Sequence, residues 1–212
     1  MTADIRVLTS GAPLGGARAA MVLLHGRGGS AEDILALADT LEAPDLAYLA
    51  PEAPGYTWYP LSFLAPIADN EPSLSNALAT VGIVVDAIAE AGIGPERIVL
   101  AGFSQGGCLA LEYAARNARR YGGLVGLSAG LIGPPGSPRS YAGSLAGTPA
   151  ILGCSDIDGH IPVWRVHEST EVLRGLGAEV TERIYPGMGH TINDDEIALV
   201  RQLVEGLRGA TS

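Results

Sequence analysis

The feature that most constrains the fold is a serine between two glycines, in the stretch LAGFSQGGCLALEYAA at residues 100–115. The residues before Ser104 have the composition of a buried strand, and those after it predict a helix. A serine at such a sharp strand-to-helix turn takes a strained backbone conformation, and side chains two positions away on either side would collide. Gly102 and Gly106 remove that collision, so the pattern predicts a nucleophile elbow.

Along the rest of the chain, segments typical of strands alternate with segments of helical periodicity. Strands are predicted over 18–26, 45–54, 97–103, 122–130, 149–156 and 179–185. Three helices are predicted over 30–42, 73–91 and 105–119. A fourth begins at Pro162 and extends to Leu176. A fifth is capped by Asn193 and Glu196 and extends to Leu207. Residues 55–72 and 133–147 are predicted to be irregular. This order predicts an α/β fold with a mostly parallel central sheet and helices on both faces.

Composition favours one compact domain over residues 1–212, because a chain of this length with 47% apolar residues can bury a sizeable core. The two cysteines, Cys108 and Cys154, are too few and too far apart for a disulfide framework or a zinc site, and buried thiols are expected. The net charge of −10 opposes binding to nucleic acid or to an anionic membrane surface. All thirteen basic residues are arginine, which excludes Schiff-base and Ser-Lys chemistry.

The sequence shows no uninterrupted apolar run of the roughly 20 residues that a membrane span needs. The start MTADIRVLTSG also lacks the basic and then apolar pattern of a signal peptide. A cytoplasmic location without stable membrane anchoring is therefore expected.

A serine nucleophile needs a histidine base oriented by a carboxylate, and with this elbow the chain order is serine, acid, histidine. His25 precedes Ser104 and is expected to support a loop, whereas His160 and His167 are expected to be solvated. His190 lies in YPGMGHTIND, a glycine-containing loop between the last predicted strand and the last helix. It is the histidine in the right order and setting for a general base.

The acid is expected in GCSDIDGHIP, where Asp156 and Asp158 both follow a predicted strand. One of them would orient His190 and the other would cap its own turn, and spacing alone does not choose between them. Asp194, Asp195 and Glu196 open the last helix, where acidic residues interact with the helix dipole, so no metal site is predicted.

Two backbone N–H groups are expected to stabilise the oxyanion of a tetrahedral intermediate. Gln105 supplies one at the start of the helix after the elbow. Arg27 supplies the other from the glycine-rich loop in LLHGRGGSAED, which lacks the lysine of a phosphate-binding P-loop.

The loop TWYPLSFLAP places four apolar residues in a region without periodicity: Trp58, Tyr59, Phe63 and Leu64. They either fill the core or form an apolar wall beside the serine that suits acyl or aryl groups. The wall is the preferred interpretation, because a loop without periodicity is a poor source of core residues.

The motifs LLHGRGG, WYP, GPERIVLAGFSQGGCLALEYA, DIDGHIP and YPGMGHTINDDE, in that order, resemble the phospholipase/carboxylesterase family of small α/β-hydrolases. That resemblance implies an α/β-hydrolase fold without a large lid domain, no cofactor, and in many members a homodimer. In the family's D-x-x-[VI]-P block the catalytic aspartate precedes the proline by four residues, which implies Asp158. Acyl-protein thioesterases usually carry leucine where this chain has Arg27, whose guanidinium either binds a substrate carboxylate or phosphate or pairs with Asp33 or another surface acid.

The expected function is that of a serine carboxylesterase that hydrolyses short-chain or aromatic esters through an acyl-enzyme, with a small-molecule ester as its partner. The alternatives are an acyl-protein thioesterase or lysophospholipase acting on longer acyl chains, a carbon–carbon or lactone hydrolase, and a non-catalytic ligand-binding homologue.

Overall fold

The computed structural model describes residues 5–207, which form one seven-stranded sheet with helices on both faces. The strands are β1 (Val7–Gly11), β2 (Ala19–Leu24), β3 (Leu46–Pro51), β4 (Ile98–Phe103), β5 (Gly123–Leu127), β6 (Pro149–Ser155) and β7 (Glu179–Tyr185). The helices are α1 (Ala31–Thr40), α2 (Ser73–Glu90), α3 (Gln105–Arg116), α4 (Val163–Gly175) and α5 (Asp194–Gly206). The strand order is β1-β3-β2-β4-β5-β6-β7, and only the pairing of β1 with β3 is antiparallel.

This architecture confirms the predicted mostly parallel α/β sheet, and no large additional domain accompanies the sheet within residues 5–207. The first strand was not predicted. The sequence VLTSG of β1 is only partly buried, because β1 lies at the edge of the sheet and pairs with a single neighbour. It therefore lacks the continuous apolar pattern of the inner strands. The predicted strand over 122–130 ends at Leu127, since Ser128 adopts a φ of 45°.

Successive residues of the inner strands pack into two cores on opposite faces of the sheet. Ala20, Val22 and Leu24 of β2 face the core that α2, α3 and α4 cover. Met21 and Leu23 face the core that α1 and α5 cover. Both faces of the sheet are buried at β2, which explains why its sequence is apolar throughout and does not alternate between apolar and polar residues.

Two helices begin with the capping boxes that their sequences predict. Ser30 and Asp33 exchange side-chain bonds with each other's backbone N–H at the start of α1, and Asn193 and Glu196 do the same at α5. The second box fixes the end of the loop that carries His190.

Helix α2 is long and apolar enough, by length and composition, to cross a membrane. Core helices pass the same test, and six residues of α2 are buried against the rest of the molecule: Leu74, Ala77, Val81, Val84, Val85 and Ile88. These six are a third of its eighteen residues, so burial accounts for the apolar residues of this one face.

In a parallel sheet the carboxyl ends of the strands meet at one edge, and ligands bind outside that edge. The loops after β2, β4, β6 and β7 therefore converge. They carry Arg27, Ser104, Asp158 and His190, respectively.

Candidate active site

Ser104 lies between β4 and α3 with a φ of 54° and a ψ of −120°, a strained conformation for a residue with a side chain. A Cβ on Gly102 would lie 2.5 Å from the carbonyl carbon of Gly106, so this glycine allows the turn to close. A Cβ on Gly106 would instead lie 2.1 Å from the carbonyl oxygen of Leu24. The second glycine is therefore also required by the close approach of the backbone at the end of β2, which the sequence did not predict.

The structure brings Ser104, His190 and Asp158 into one hydrogen-bonded chain. The Nε2 atom of His190 lies 2.9 Å from the Oγ atom of Ser104, and its Nδ1 atom lies 2.7 Å from Oδ2 of Asp158. An ionised carboxylate only accepts, so Nδ1 carries the proton and Nε2 is free to accept the proton of the Ser104 hydroxyl.

The Asp158 carboxylate is buried in the turn after β6 and has several donors. Its Oδ1 atom accepts hydrogen bonds from the backbone N–H groups of His160 at 2.8 Å and Ile161 at 3.0 Å. The Cys154 thiol donates to Oδ2 at 3.6 Å. Burial acts to raise the pKa of Asp158, but the hydrogen bonds from His190, His160 and Ile161 outweigh it and hold the pKa below its ordinary value. The side chain is therefore an anion at neutral pH.

Asp156 points away from this chain of hydrogen bonds. The expectation that the second aspartate caps its own turn is corrected, because its Oδ1 atom accepts from the N–H of Gly187 at 2.8 Å. The buried Ser155 hydroxyl accepts from the N–H of Gly189 at 3.1 Å. Both side chains therefore fix the turn that precedes His190. This role of Ser155 was not predicted, although a polar residue at the carboxyl end of a buried strand is a signal for it.

Two rings flank the imidazole of His190. The centroid of the Phe103 ring lies 4.8 Å from that of His190, and the centroid of His160 lies 4.7 Å from it. His160 is exposed, as expected of a solvated side chain, but it also lines the pocket in front of Ser104. Phe103 follows Gly102 in the elbow, so its place beside the serine follows from the motif. His160 could have been found from its position two residues after Asp158.

The two residues expected to stabilise an oxyanion both line the pocket that contains Ser104. Gln105 is the first residue of α3, and Arg27 follows the end of β2. Within residues 5–207 neither backbone N–H donates to a protein acceptor, so both are available to a ligand.

The Gln105 side chain also has a role that was not predicted from the sequence. Its amide oxygen accepts from the N–H of Trp58 at 3.0 Å, and its amide nitrogen donates to the carbonyl of Tyr59 at 2.8 Å. The N–H of Gly28 donates to the carbonyl of Tyr56 at 2.8 Å. The loop over residues 56–61 is thus bonded both to Gln105, next to Ser104, and to the loop after β2.

The Arg27 side chain does not pair with Asp33 or with another acid of the described residues. Its Nη1 atom donates to the carbonyl of Pro60 at 2.8 Å, and Nη2 donates to those of Tyr59 at 2.9 Å and Leu61 at 2.6 Å. Asp33 is engaged in the capping box with Ser30. The guanidinium therefore binds the loop over 56–61 through three carbonyl oxygens.

A pocket of about 580 Å³ opens in front of Ser104. It is lined by Gly26, Arg27, Tyr59, Pro60, Leu61, Ser62, Phe63, Phe103, Ser104, Gln105, Cys108, His160, Ile161 and His190. Tyr59 and Phe63 thus line the pocket as the predicted wall, and both are also buried in the core.

The prediction of the wall is corrected for Trp58 and Leu64, which do not line this pocket. Trp58 is buried in the core, its indole N–H donates to the carbonyl of His25 at 2.9 Å, and its ring packs on that of His25. Leu64 is half-buried and packs against the core on the same side of the sheet. His25 supports this loop as expected, since Nε2 accepts from the N–H of Ala53 at 3.0 Å.

The acidic residues at the start of α5 have other partners. Glu196 completes the capping box, and Asp195 accepts a hydrogen bond from the hydroxyl of Tyr185 at 2.8 Å. Within residues 5–207 no group of three or more His, Cys, Asp or Glu side chains is placed to hold a metal ion. Cys108 and Cys154 are buried free thiols, as predicted.

A serine on a strained strand-to-helix turn, bonded to a histidine and through it to a buried aspartate, defines the serine hydrolases of the α/β-hydrolase fold. The chain belongs to the phospholipase/carboxylesterase family, whose model matches residues 11–207.

Similar proteins carry esterase and thioesterase names. A solved phospholipase/carboxylesterase of Dyadobacter fermentans is 45% identical, with a TM-score of 0.92 over 97% of this chain and 98% of that one. Acyl-protein thioesterase 1 of Gibberella zeae is 36% identical over 114 residues, which make up 51% of this chain and 47% of that protein. A probable carboxylesterase of Oryza sativa subsp. japonica is 27% identical over 200 residues, or 86% of this chain and 85% of the relative. The chain is therefore a serine hydrolase of the esterase and thioesterase kind.

Proposed function

We propose that the protein is a carboxylesterase that hydrolyses short-chain or aromatic carboxylic esters through a covalent acyl-enzyme. The observation that carries this proposal is the bridging position of His190, 2.9 Å from the Ser104 hydroxyl and 2.7 Å from the Asp158 carboxylate. This geometry supplies the nucleophile, its base and the group that orients the base.

In the acylation step, the Oγ atom of Ser104 attacks the ester carbonyl carbon while Nε2 of His190 takes the hydroxyl proton. The carbonyl oxygen becomes an oxyanion, and the free N–H groups of Arg27 and Gln105 are proposed to stabilise it. Asp158 stabilises the resulting imidazolium. The C–O bond to the alcohol then breaks, and His190 returns the proton to the departing alkoxide, which leaves Ser104 acylated.

In the deacylation step, water takes the place of the alcohol. His190 removes a proton from the water as it attacks the acyl carbon, and a second oxyanion forms at the same two N–H groups. The bond to Oγ breaks, His190 protonates Ser104, and the carboxylic acid is released. Protein groups supply every proton transfer, so the proposal includes no cofactor and no metal.

The preference for small or aromatic groups is supported by the pocket wall. Tyr59, Phe63 and Phe103 are among the residues that line a volume of about 580 Å³, which both halves of the ester share. The alternative is an acyl-protein thioesterase or lysophospholipase acting on longer chains, which the name of the Gibberella zeae relative favours.

The test is hydrolysis of p-nitrophenyl acetate, butyrate, octanoate and palmitate by the wild type, by Ser104→Ala and by Ser75→Ala. Ser75 is exposed on α2 and provides the matched control. We expect Ser104→Ala to lower kcat by at least about four orders of magnitude with unchanged thermal unfolding, and Ser75→Ala to match the wild type. Activity that survives in Ser104→Ala would refute the assignment.

The chain-length profile separates the candidates, since each accommodated methylene contributes up to about 0.8 kcal/mol. A maximum at acetate or butyrate supports the small-ester carboxylesterase. A maximum at octanoate or palmitate supports the long-chain alternative, and no hydrolysis of any ester would favour the lactone hydrolase or the ligand-binding homologue.

We also propose that the enzyme acts in the cytoplasm on a small-molecule ester, without nucleic acid and without stable membrane anchoring. The net charge of −10 supports this proposal because it disfavours phosphate backbones and anionic lipid surfaces. The homodimer that the family resemblance implies is testable by light scattering of the purified chain.

A further inference from the structure

We propose that Arg27 makes the enzyme selective for esters that carry a carboxylate close to the scissile bond. Half-esters of dicarboxylic acids and acyl esters of hydroxybenzoic acids are the two forms of such a substrate. This inference rests on the proposed esterase function and names the substrate class of the same pocket.

The first observation is the charge of the pocket lining. The chain has 23 acidic and 13 basic residues, yet none of the residues lining the pocket is an aspartate or a glutamate. The lining contains the guanidinium of Arg27 and the imidazoles of His160 and His190. Arg27 is therefore the one permanently charged side chain of this lining, and its positive charge favours an anionic ligand.

The second observation is that the Arg27 charge is held in place without being neutralised. Three loop carbonyls accept its hydrogen bonds, and these groups are dipoles that fix the guanidinium without cancelling its charge. Arg6, Arg18 and Arg165, by contrast, each form an ion pair with a carboxylate. Among the described residues, the Nε–H of Arg27 and the second hydrogen on Nη1 have no protein acceptor, so both can donate to a ligand.

The third observation is the position of this cation relative to the reacting atoms. The backbone N–H of Arg27 is one of the two proposed oxyanion donors, so its guanidinium lies within one side-chain length of the ester carbonyl. The carbonyls that hold it belong to residues 59–61, which form the wall of the same pocket. A substrate carboxylate joined to the ester by a short spacer can therefore reach a preorganised guanidinium.

The test compares matched anionic and neutral esters. Monoethyl adipate with diethyl adipate places the carboxylate on the acyl side, and 4-acetoxybenzoate with methyl 4-acetoxybenzoate places it on the leaving group. The readout is the ratio of kcat/KM for the anionic ester to that for its neutral partner. This ratio is insensitive to any general effect of a variant on the oxyanion site.

The variants are Arg27→Gln, which removes the charge, Arg27→Lys, which keeps it, and Arg120→Gln as the control. Arg120 is exposed and bonds the carbonyls of Ala146 and Gly147, so it also binds loop carbonyls, but it does not line the pocket. We expect Arg27→Gln to lower the ratio about tenfold for at least one ester pair. Arg120→Gln should leave it unchanged, and Arg27→Lys, which keeps the charge but not the fork, should lower it less than Arg27→Gln does.

If the kcat/KM ratio of anionic to neutral ester is equal in the wild type and Arg27→Gln for both ester pairs, the proposal is wrong. Arg27 would then only hold the loop over residues 56–61 in place. An equal loss in Arg27→Gln and Arg27→Lys would overturn it too, because loss of the fork and not of the charge would then explain the change. The ester pair whose kcat/KM ratio falls in Arg27→Gln shows whether the preferred substrate carries its carboxylate on the acyl side or on the leaving group.

Calorimetric binding of adipate to the wild type and to Arg27→Gln gives a readout that does not depend on turnover. We expect about tenfold weaker binding by the variant. Weaker binding without hydrolysis of any ester would refute the esterase function and leave the anion site standing. Hydrolysis of neutral esters with equal adipate binding by both proteins would refute the anion site alone.

Discussion

At the scale of single residues, Asp156 and Asp158 show how two nearby carboxylates acquire different roles. Asp158 is buried, accepts from two backbone N–H groups and bonds Nδ1 of His190. Asp156 is exposed and bonds only the N–H of Gly187 among the described side-chain contacts. Their chemical environments follow from the turn after β6, which directs one side chain inward and the other outward.

The replacement of each aspartate by asparagine should therefore have unequal effects. We expect Asp158→Asn to lower kcat/KM by about three to four orders of magnitude, because a neutral amide neither fixes the Nδ1–H tautomer nor stabilises the imidazolium. Asp156→Asn retains an oxygen for the Gly187 N–H and should lose less than about tenfold. The measurement is hydrolysis of p-nitrophenyl butyrate, and the reverse order of losses would contradict the assigned roles.

At the scale of secondary-structure elements, the site depends on how closely β2 approaches the start of α3. A Cβ at Gly106 would lie 2.1 Å from the carbonyl oxygen of Leu24, a backbone atom that cannot move without disturbing the sheet. The loop after β2 carries Arg27, so the same contact sets the separation of the two proposed oxyanion donors.

Gly106→Ala tests this contact. We expect a loss of about 3 kcal/mol or more in the free energy of unfolding, since overpacking against rigid backbone is among the costlier substitutions. The control is Gly175→Ala at the end of α4, where nothing lies within 4 Å of the added Cβ. That change should stabilise the protein by about 0.5 kcal/mol through helix propensity. Urea unfolding measures the change in the free energy of unfolding for both variants. Similar changes would show that the backbone around residue 106 relaxes to accept the added Cβ.

Periodicity and chain order predicted the parallel sheet, the five helices, and the histidine that meets Ser104. They predicted less about loops, because burial patterns report which residues are apolar but not which direction an irregular loop turns them. Tyr59 lines the pocket and is also buried in the core, whereas its neighbour Trp58 is buried in the core and does not line the pocket. The edge strand β1 was missed for a related reason: it is half-buried and pairs on one side only.

At the scale of the whole molecule, stability and pH are connected through a buried carboxyl group at the start of α5. Glu196 is fully buried, and no described group bonds its Oε1 atom, which packs against Gly153 of β6. Burial raises the pKa of Glu196 from 4.5 to about 7, aided by the charge of Asp195 and opposed by the hydrogen bond from the Asn193 N–H. The folded protein therefore retains a proton that the unfolded chain releases.

The sign of the pH dependence follows from this raised pKa. Below about pH 4.5 the group is protonated in both states, and as pH rises towards 7 only the folded state keeps the proton, so the free energy of unfolding falls. Between pH 4.5 and pH 8 we expect the wild type to lose up to about 3 kcal/mol more than Glu196→Gln, which keeps the capping box without the charge. Urea unfolding across pH measures the difference.

Glu205→Gln is the matched control for this prediction, because Glu205 is exposed on the same helix. The free energy of unfolding of this variant should change with pH as that of the wild type does. If the free energy of unfolding changes equally with pH in the wild type and in Glu196→Gln, Glu196 does not control the pH dependence of stability.

The loop over residues 56–61 bonds Gln105 and Arg27, and it also forms one wall of the pocket. A substitution in this loop is therefore expected to change the reaction rate and the range of accepted esters together. A substitution in this loop that admits a new ester also shifts the groups that hold the oxyanion donors. New specificities should consequently arise with an initial penalty in rate, and compensating changes should appear at Arg27 and Gln105 before they appear elsewhere in the chain.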